Sequence, residues 1–448
     1  MNNELPPAIL VIFGITGDLS KRYLLPALYH LCKDNLLGEH HVIVGTSRKP
    51  LDVDEFLKTV EVCVLESDKV CDPVVLKRFR DKLQTVQLDP TLSEDYARLH
   101  QTLDAIEDSH KVCIHRMYYL SIPPQIYPPV VKHLGENGLN QSCQHGNADT
   151  RLLVEKPFGY DLTSAEELIS STAEHFREDQ VYRIDHYLAK DTVRHILPFR
   201  QENPELEKMW NSTHVSRIDI NAFEAIGIEG RQFYDQIGAL RDFVQSHLMQ
   251  LLAVTTMDLP EKLDSDPIHA AKQKLLESII PAEPEQAVRG QYETYRQEVN
   301  NNDSATETFA SVELQINSER WRSVPVHLTT GKALPEKRAE IIVTFGDAEL
   351  KFEIQPNPHI DATSGVTELV SAPLNVTIAD KEQAVAHDNA DAYELVLASA
   401  IRADKTLFIS SEEVLASWRI LEPIVRAWEK NSDGLINYKN GSLPDKIS

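Results

Sequence analysis

The run Val181-Tyr-Arg-Ile-Asp-His-Tyr-Leu-Ala-Lys190 gathers an aspartate, a histidine, an arginine, a lysine and tyrosine into ten residues. Few core segments tolerate that, because a buried charge must be paired or it costs several kcal/mol. If a helix begins near Asp185, His186 and Lys190 stand four apart and share one face. Two cationic donors on one face suit a phosphate. Asp185 beside them suits a histidine elsewhere that needs orienting. A solvated helix start with Asp185 as its N-cap accounts for the same residues without any chemistry.

A second group lies in Gly238-Ala-Leu-Arg-Asp-Phe-Val-Gln-Ser-His-Leu-Met-Gln-Leu-Leu252. The apolar stripe Leu240, Phe243, Val244, Leu248 and Leu251 spells a helix, interrupted by Arg241, Asp242 and His247. Asp242 and His247 are five apart, about 140° around an α-helix, so they do not share a face. If His247 is a base, its orienting carboxylate should come from elsewhere, and Asp185 is a candidate. A lone helical histidine reads equally as a satisfied core residue.

A third group is the glycine turn Gly14-Ile15-Thr16-Gly17-Asp18-Leu19-Ser20 after the apolar run Ala8–Phe13. A tight turn between a first strand and a helix offers backbone N–H groups and the helix dipole to a pyrophosphate. The spacing is GxxGxxS, and the turn alone also reads as a place that merely needs positive φ. The second strand ends at Arg48-Lys49, where an acid would favour NAD and an arginine accommodates the 2′-phosphate of NADP.

The elements that must position these residues fall into two sets. Ala8–Phe13, His41–Thr46, Met117–Ile122 and Arg151–Glu155 read as strands; Asp18–Asn35, Asp52–Leu65, Gln125–Leu134 and Ser164–Phe176 read as helices between them. That alternation implies βαβ units and a parallel sheet. Beyond it, Val215–Phe223, Phe309–Ile316, Val324–Thr330, Ala339–Phe345, Leu350–Ile354 and Leu374–Ile378 alternate as strands with hairpin-length gaps, which suggests a largely antiparallel sheet. Helices at Leu240–Met257, Ile268–Ile279, Ala392–Ala403 and Glu412–Lys430 accompany it. The fold class is a Rossmann-type α/β domain over 1–182 followed by an α+β domain over 183–448. Pro284–Asp303 reads as a loop or irregular helix, and the tail after Ser432 as partly mobile.

Two domains are the natural prior for 448 residues. The formal charge of −24 argues against nucleic acid and means that any phosphate ligand must be met by locally gathered lysine and arginine. No run of 18 apolar residues exists, so nothing is expected to span a membrane. The N-terminus reads as the start of a folded domain. The five cysteines, odd in number and without zinc spacing, read as reduced thiols of a cytoplasmic protein, and no metal site is expected.

In combination, FGITGDLSKR at 13–22, VGTSR at 44–48, YYLSIPP at 118–124, EKPFGYDL at 155–162, RIDHYLAK at 183–190, GALRDFVQSHLMQ at 238–250, GKALPEK at 331–337, IQPN at 354–357, DAYE at 391–394 and SWRILEP at 417–423 resemble glucose-6-phosphate dehydrogenases over nearly the whole chain. The resemblance implies oxidation of glucose 6-phosphate at C1 to the lactone, the entry to the pentose phosphate pathway, with NADP as acceptor. Members that use both cofactors also carry an arginine at this position, which leaves NAD open. It implies His247 as general base oriented by Asp185. It implies a sugar-phosphate clamp of His186, Tyr187 and Lys190, with Lys156, Glu224, Asp242, Lys332, Lys337 and Gln355 around the sugar. Gly14, Ile15, Thr16, Gly17, Asp18, Leu19, Arg48 and Lys156 fall to the cofactor, and a homodimer or homotetramer forms through the large sheet. The chain departs from the family at Tyr23, often basic; at Ala189, usually glycine; and at Ser246, usually asparagine. Two other readings stand beside this one. One is an NAD(P)-dependent oxidoreductase of unphosphorylated sugars with the same domain plan. The other is a non-catalytic dinucleotide-binding homologue.

Overall fold

The computed structural model describes residues 4–60, 71–111, 114–141, 148–363, 365–366, 370, 374, 390–430 and 432–445. They form two compact units: Met1–Phe158 with Glu166–Ala189 and Ala386–Ser411, and Gly159–Ala165 with Lys190–Val385 and Glu412–Ser448.

The first unit is built on β1 (Ala8–Phe13), β2 (Val42–Ser47), β3 (Leu83–Gln87), β4 (His115–Leu120), β5 (Thr150–Val154), β6 (Val181–Ile184) and β14 (Phe408–Ile409). Their order is β14-β6-β5-β4-β1-β2-β3, parallel throughout except that β14 runs against β6. Every residue of β1 is buried, as a central parallel strand covered on both faces requires. Of the expected helix Asp52–Leu65, Val53–Leu57 forms and residues 61–65 lie outside the described ones. The stretch between it and β4, for which no element was expected, holds β3 and the 18-residue helix Ser93–His110. An expected division at 182/183 would cut β6, which pairs with β5 and β14 inside this unit. The helix Ala390–Arg402, expected with the second sheet, belongs here instead. Buried Arg151 on β5 donates to its last carbonyls, Ala400 at 2.6 Å and Ile401 at 2.8 Å. Local periodicity carries no trace of so distant a partner.

The second unit holds β7 (Arg217–Phe223), β8 (Ala287–Tyr292), β9 (Phe309–Gln315), β10 (Pro325–Gly331), β11 (Arg338–Phe345), β12 (Ala348–Gln355), β13 (His359–Ala362) and β15 (Leu435–Tyr438). Their order is β13-β12-β11-β7-β10-β9-β8-β15, antiparallel except for β7–β10 and β8–β15. Two expectations are corrected. The segment expected as a loop or irregular helix contains β8, and the tail expected to be partly mobile supplies β15, its parallel neighbour. Short polar strands at a sheet edge show too little alternation to be seen in sequence. The expected strand Leu374–Ile378 lies outside the described residues apart from Leu374, which has no regular structure. Residues on one face of the central strands, such as Ile218, Ile220, Val326, Leu328, Ile341 and Val343, are wholly buried.

Among the described residues no helix is long and apolar enough to cross a membrane, and no cluster of ligating side chains could hold a metal. Cys32 is a free buried thiol, but Cys71 is disulfide-bonded, which corrects the expectation of five reduced cysteines. Pairing depends on proximity in the fold, which spacing in sequence does not reveal.

Candidate active site

In the first unit, β1 delivers the chain into the glycine turn. Gly14 has φ +79°, and a Cβ there would lie 2.4 Å from the Ser121 carbonyl oxygen after β4. Gly17 N–H closes the turn on Gly14 C=O at 2.9 Å. Ser20, which takes the third glycine's place, is buried. Its hydroxyl donates to Gly14 C=O at 3.0 Å and can accept from the Ser121 hydroxyl at 2.8 Å, so a side chain is used where the usual motif has none. The helix that follows is π-wound over Ser20–Leu24 before becoming α over Leu25–Lys33. At the end of β2 a Cβ on Gly45 would strike the Ile15 side chain at 2.2 Å. Arg48 and Lys49 beyond it are exposed. Asp89, across β3, has its carboxyl lowered chiefly by its bonds to Thr91, with the Arg48 charge adding to them.

Asp185, directly after β6, is 1% exposed; its Oδ1 accepts the Tyr187 N–H at 2.9 Å. That bond turns the chain through residues 186–189, and Lys190 is extended (ψ 137°) before the helix Asp191–Glu202 begins. His186 and Lys190 therefore do not share a helix face, contrary to expectation. The aspartate closes a turn that the helical pattern cannot distinguish from a helix start. Ala189 is buried and lies outside the left-handed region, so its methyl group adds no backbone strain.

His186 Nε2 lies 3.2 and 3.3 Å from the two Glu155 oxygens, and the Tyr119 hydroxyl donates to the same carboxylate. Burial pushes the Glu155 carboxyl up, but His186, Tyr119 and neighbouring Lys156 outweigh it and hold it below its usual range. Tyr393 covers the His186 ring at 4.1 Å between centroids, and Tyr23 stacks on Tyr393 at 5.1 Å and 9°. Glu155, Tyr119 and Tyr393 lay within the quoted motifs and Tyr23 directly after one, but nothing in their spacing assigned them to His186.

In the second unit, His247 and Asp242 lie on a segment that is π-wound over Leu240–Leu248 and α-helical over Met249–Thr256. This overturns the expectation that they face apart. With i→i+5 bonding, residues five apart stack along one face. Phe243 packs edge-on against the His247 ring at 4.9 Å, and the Ser246 hydroxyl turns back to the Asp242 carbonyl at 2.8 Å. Glu224, just past β7, forms a close ion pair with Lys332, just past β10. The Lys332 ammonium also sits 5.1 Å above the Tyr234 ring. Burial, then Asp242, Glu307 and Glu224, raise the Tyr234 hydroxyl well above its usual range. Lys190 and Gln355 are buried and Lys337 is exposed. The second unit thus collects Lys190, Glu224, Asp242, His247, Lys332, Lys337 and Gln355; Lys156, Asp185, His186 and Tyr187 belong to the first.

A parallel-sheet unit with a glycine turn after its first strand, and a mostly antiparallel-sheet unit that holds a histidine, two carboxylates and a buried lysine, define an NAD(P)-dependent oxidoreductase of the two-domain type. The chain matches the glucose-6-phosphate dehydrogenase NAD-binding domain over residues 11–195 and the C-terminal domain over 197–446. It is 34% identical to glucose-6-phosphate 1-dehydrogenase of Bacillus subtilis, covering all of this chain and 96% of that one. A solved glucose-6-phosphate dehydrogenase in complex with glucose 6-phosphate superposes with a TM-score of 0.87 at 28% identity, over 100% of this chain and 97% of that one. A 3-ketoreductase from Actinomadura kijaniata shares the fold alone, with a TM-score of 0.51 at 15% identity over 98% of this chain and all of that one. The chain belongs to the glucose-6-phosphate dehydrogenase family, NADP-dependent enzymes that oxidise glucose 6-phosphate.

Proposed function

We propose that this chain oxidises glucose 6-phosphate at C1 with His247 as the base, oriented by Asp185. The observation that carries the reading is the π-wound turn that brings His247 and Asp242 onto one face in the unit that also holds the Glu224–Lys332 pair. His247 takes the C1 hydroxyl proton on its imidazole, and Asp185 stabilises the imidazolium that results. Asp242 and the Glu224–Lys332 pair receive the ring hydroxyls, the carboxylates accepting and the ammonium donating. The bound nicotinamide supplies the hydride acceptor. The residues present fit such a cofactor, because Gly14 and Gly45 keep the turn clear of side chains that would fill it. Gly14 to Leu19 would meet the pyrophosphate, Arg48 the 2′-phosphate, and Lys156 the space between cofactor and sugar.

His186, Tyr187 and Lys190 hold the phosphate in this reading. The Glu155 carboxylate accepts from His186 Nε2, so a phosphate oxygen at Nδ1 would call for the doubly protonated ring, an imidazolium between two anions. The substrate is discriminated from an unphosphorylated sugar by this clamp. Lys190→Ala should raise KM for glucose 6-phosphate about tenfold or more, as expected for a lost charge-assisted bond, and leave any turnover of unphosphorylated glucose unchanged. Equal loss on both sugars would favour the oxidoreductase of unphosphorylated sugars. A cytoplasmic location and a homodimer or homotetramer assembled through the large sheet belong to the same reading. The second face of that sheet supports the assembly. Along one row across β12, β11, β7, β10 and β9 it presents Lys351, Ile342, Asp219, His327 and Glu313, all part-exposed.

A further inference from the structure

Glu307 is 5% exposed and stands just ahead of β9, in a unit that already holds the Glu224, Asp242 and Lys332 charges. Its Oε1 accepts the Leu240 N–H at 3.0 Å, and its backbone carbonyl accepts the Ala239 N–H at 3.0 Å. Leu240 is where the π winding begins. Gly238, at φ +73°, brings the backbone so close that a Cβ would lie 2.4 Å from the same Oε1. The next residue makes a second tie. Thr308 C=O accepts the Lys332 N–H at 2.9 Å, and Thr308 N–H is fixed to Gly290 of β8 at 2.7 Å. Burial raises the Glu307 carboxyl, opposed by the Leu240 bond and the charges of Arg241 and Arg289.

A π-wound turn is rare and has to be held by its surroundings. If it relaxed to α winding, Asp242 and His247 would swing about 140° apart. The start of the helix leaves buried N–H groups that need acceptors, and one carboxylate with one carbonyl meets two of them. We infer that Glu307 is a positioning residue that sets the winding of the turn carrying Asp242 and His247, while Thr308 fixes Lys332 from the same strand start. The inference rests on His247 being the base.

The test is steady-state oxidation of glucose 6-phosphate with NADP by Glu307→Ala, Glu307→Asp and Glu307→Gln, alongside His247→Asn. Glu307→Ala and Glu307→Asp, which lack an acceptor at the reach of Leu240, should lower kcat about tenfold or more with KM for NADP unchanged. Glu307→Gln keeps an acceptor oxygen and should return kcat to within about threefold of the parent. If the alanine variant does not fold, the aspartate and glutamine variants carry the comparison. Parental kcat in the aspartate variant, or an equal loss in the glutamine variant, overturns the inference. Parental turnover in His247→Asn instead overturns the base assignment, and this inference with it. An inactive His247→Asn beside unaffected Glu307 variants overturns the inference alone.

Discussion

Arg48 stands exposed at the end of β2, where its guanidinium can fork onto a phosphate. Charge-assisted bonds of that kind contribute about 1.5–3 kcal/mol. Arg48→Ala should therefore weaken NADP by about one to two powers of ten while NAD changes little. Titrating both cofactors against the variant checks this, and equal losses would show that Arg48 does not select. Residues of this kind were legible because their chemistry announces itself: an arginine after a second strand, an acid and a histidine in one decapeptide. Glu307 was not, since an acid in Thr-Glu-Thr reads as loop polarity until the Leu240 N–H is found against it. His186 was half legible. Its type suggested a phosphate, but its Glu155 and Tyr393 partners come from distant parts of the chain.

At the scale of elements, the helix through His247 shows where periodicity fails. Its apolar stripe reads as an ordinary helix, and nothing in the stripe says that nine residues are π-wound. The helix beyond is fixed by a buried network. Lys272 and Glu413, both fully buried, pair at 2.8 Å. The same lysine donates to Gln250 at 3.0 Å, and His269 meets the Glu413 carboxylate at 2.6 Å. Burial opposes the Glu413 charge, but Lys272 and His269 prevail and hold its carboxyl at about 2 against an ordinary 4.5. Because the folded value lies below the unfolded one, this stabilisation is present above pH 4.5 and is lost as pH falls toward 2. Glu413→Gln leaves Lys272 uncompensated and should destabilise the protein by ~3–5 kcal/mol at neutral pH. Thermal unfolding between pH 6 and 3 should also show a shallower acid loss than in the parent. A variant with parental midpoint and slope would contradict the network's role.

For the whole molecule, the division into a parallel-sheet unit and an antiparallel-sheet unit was legible from alternating strand and helix patterns. The return of Ala386–Ser411 to the first unit was not, because it depends on Arg151 and on β14 meeting β6. The charged row on the large sheet's second face is the surface proposed for self-association. Asp219 sits at its middle, paired in register with Ile342 and His327. Asp219→Arg should shift sedimentation toward the monomer, and an unchanged mass would remove this face from the assembly. The family is carried by both halves of the chain, and the proposed mechanism stands on His247 as the base. The most direct measurement is kcat for NADPH formation from glucose 6-phosphate by His247→Asn. The account predicts a fall of about 10²–10⁴-fold or more with substrate binding retained. Turnover close to that of the parent would contradict it.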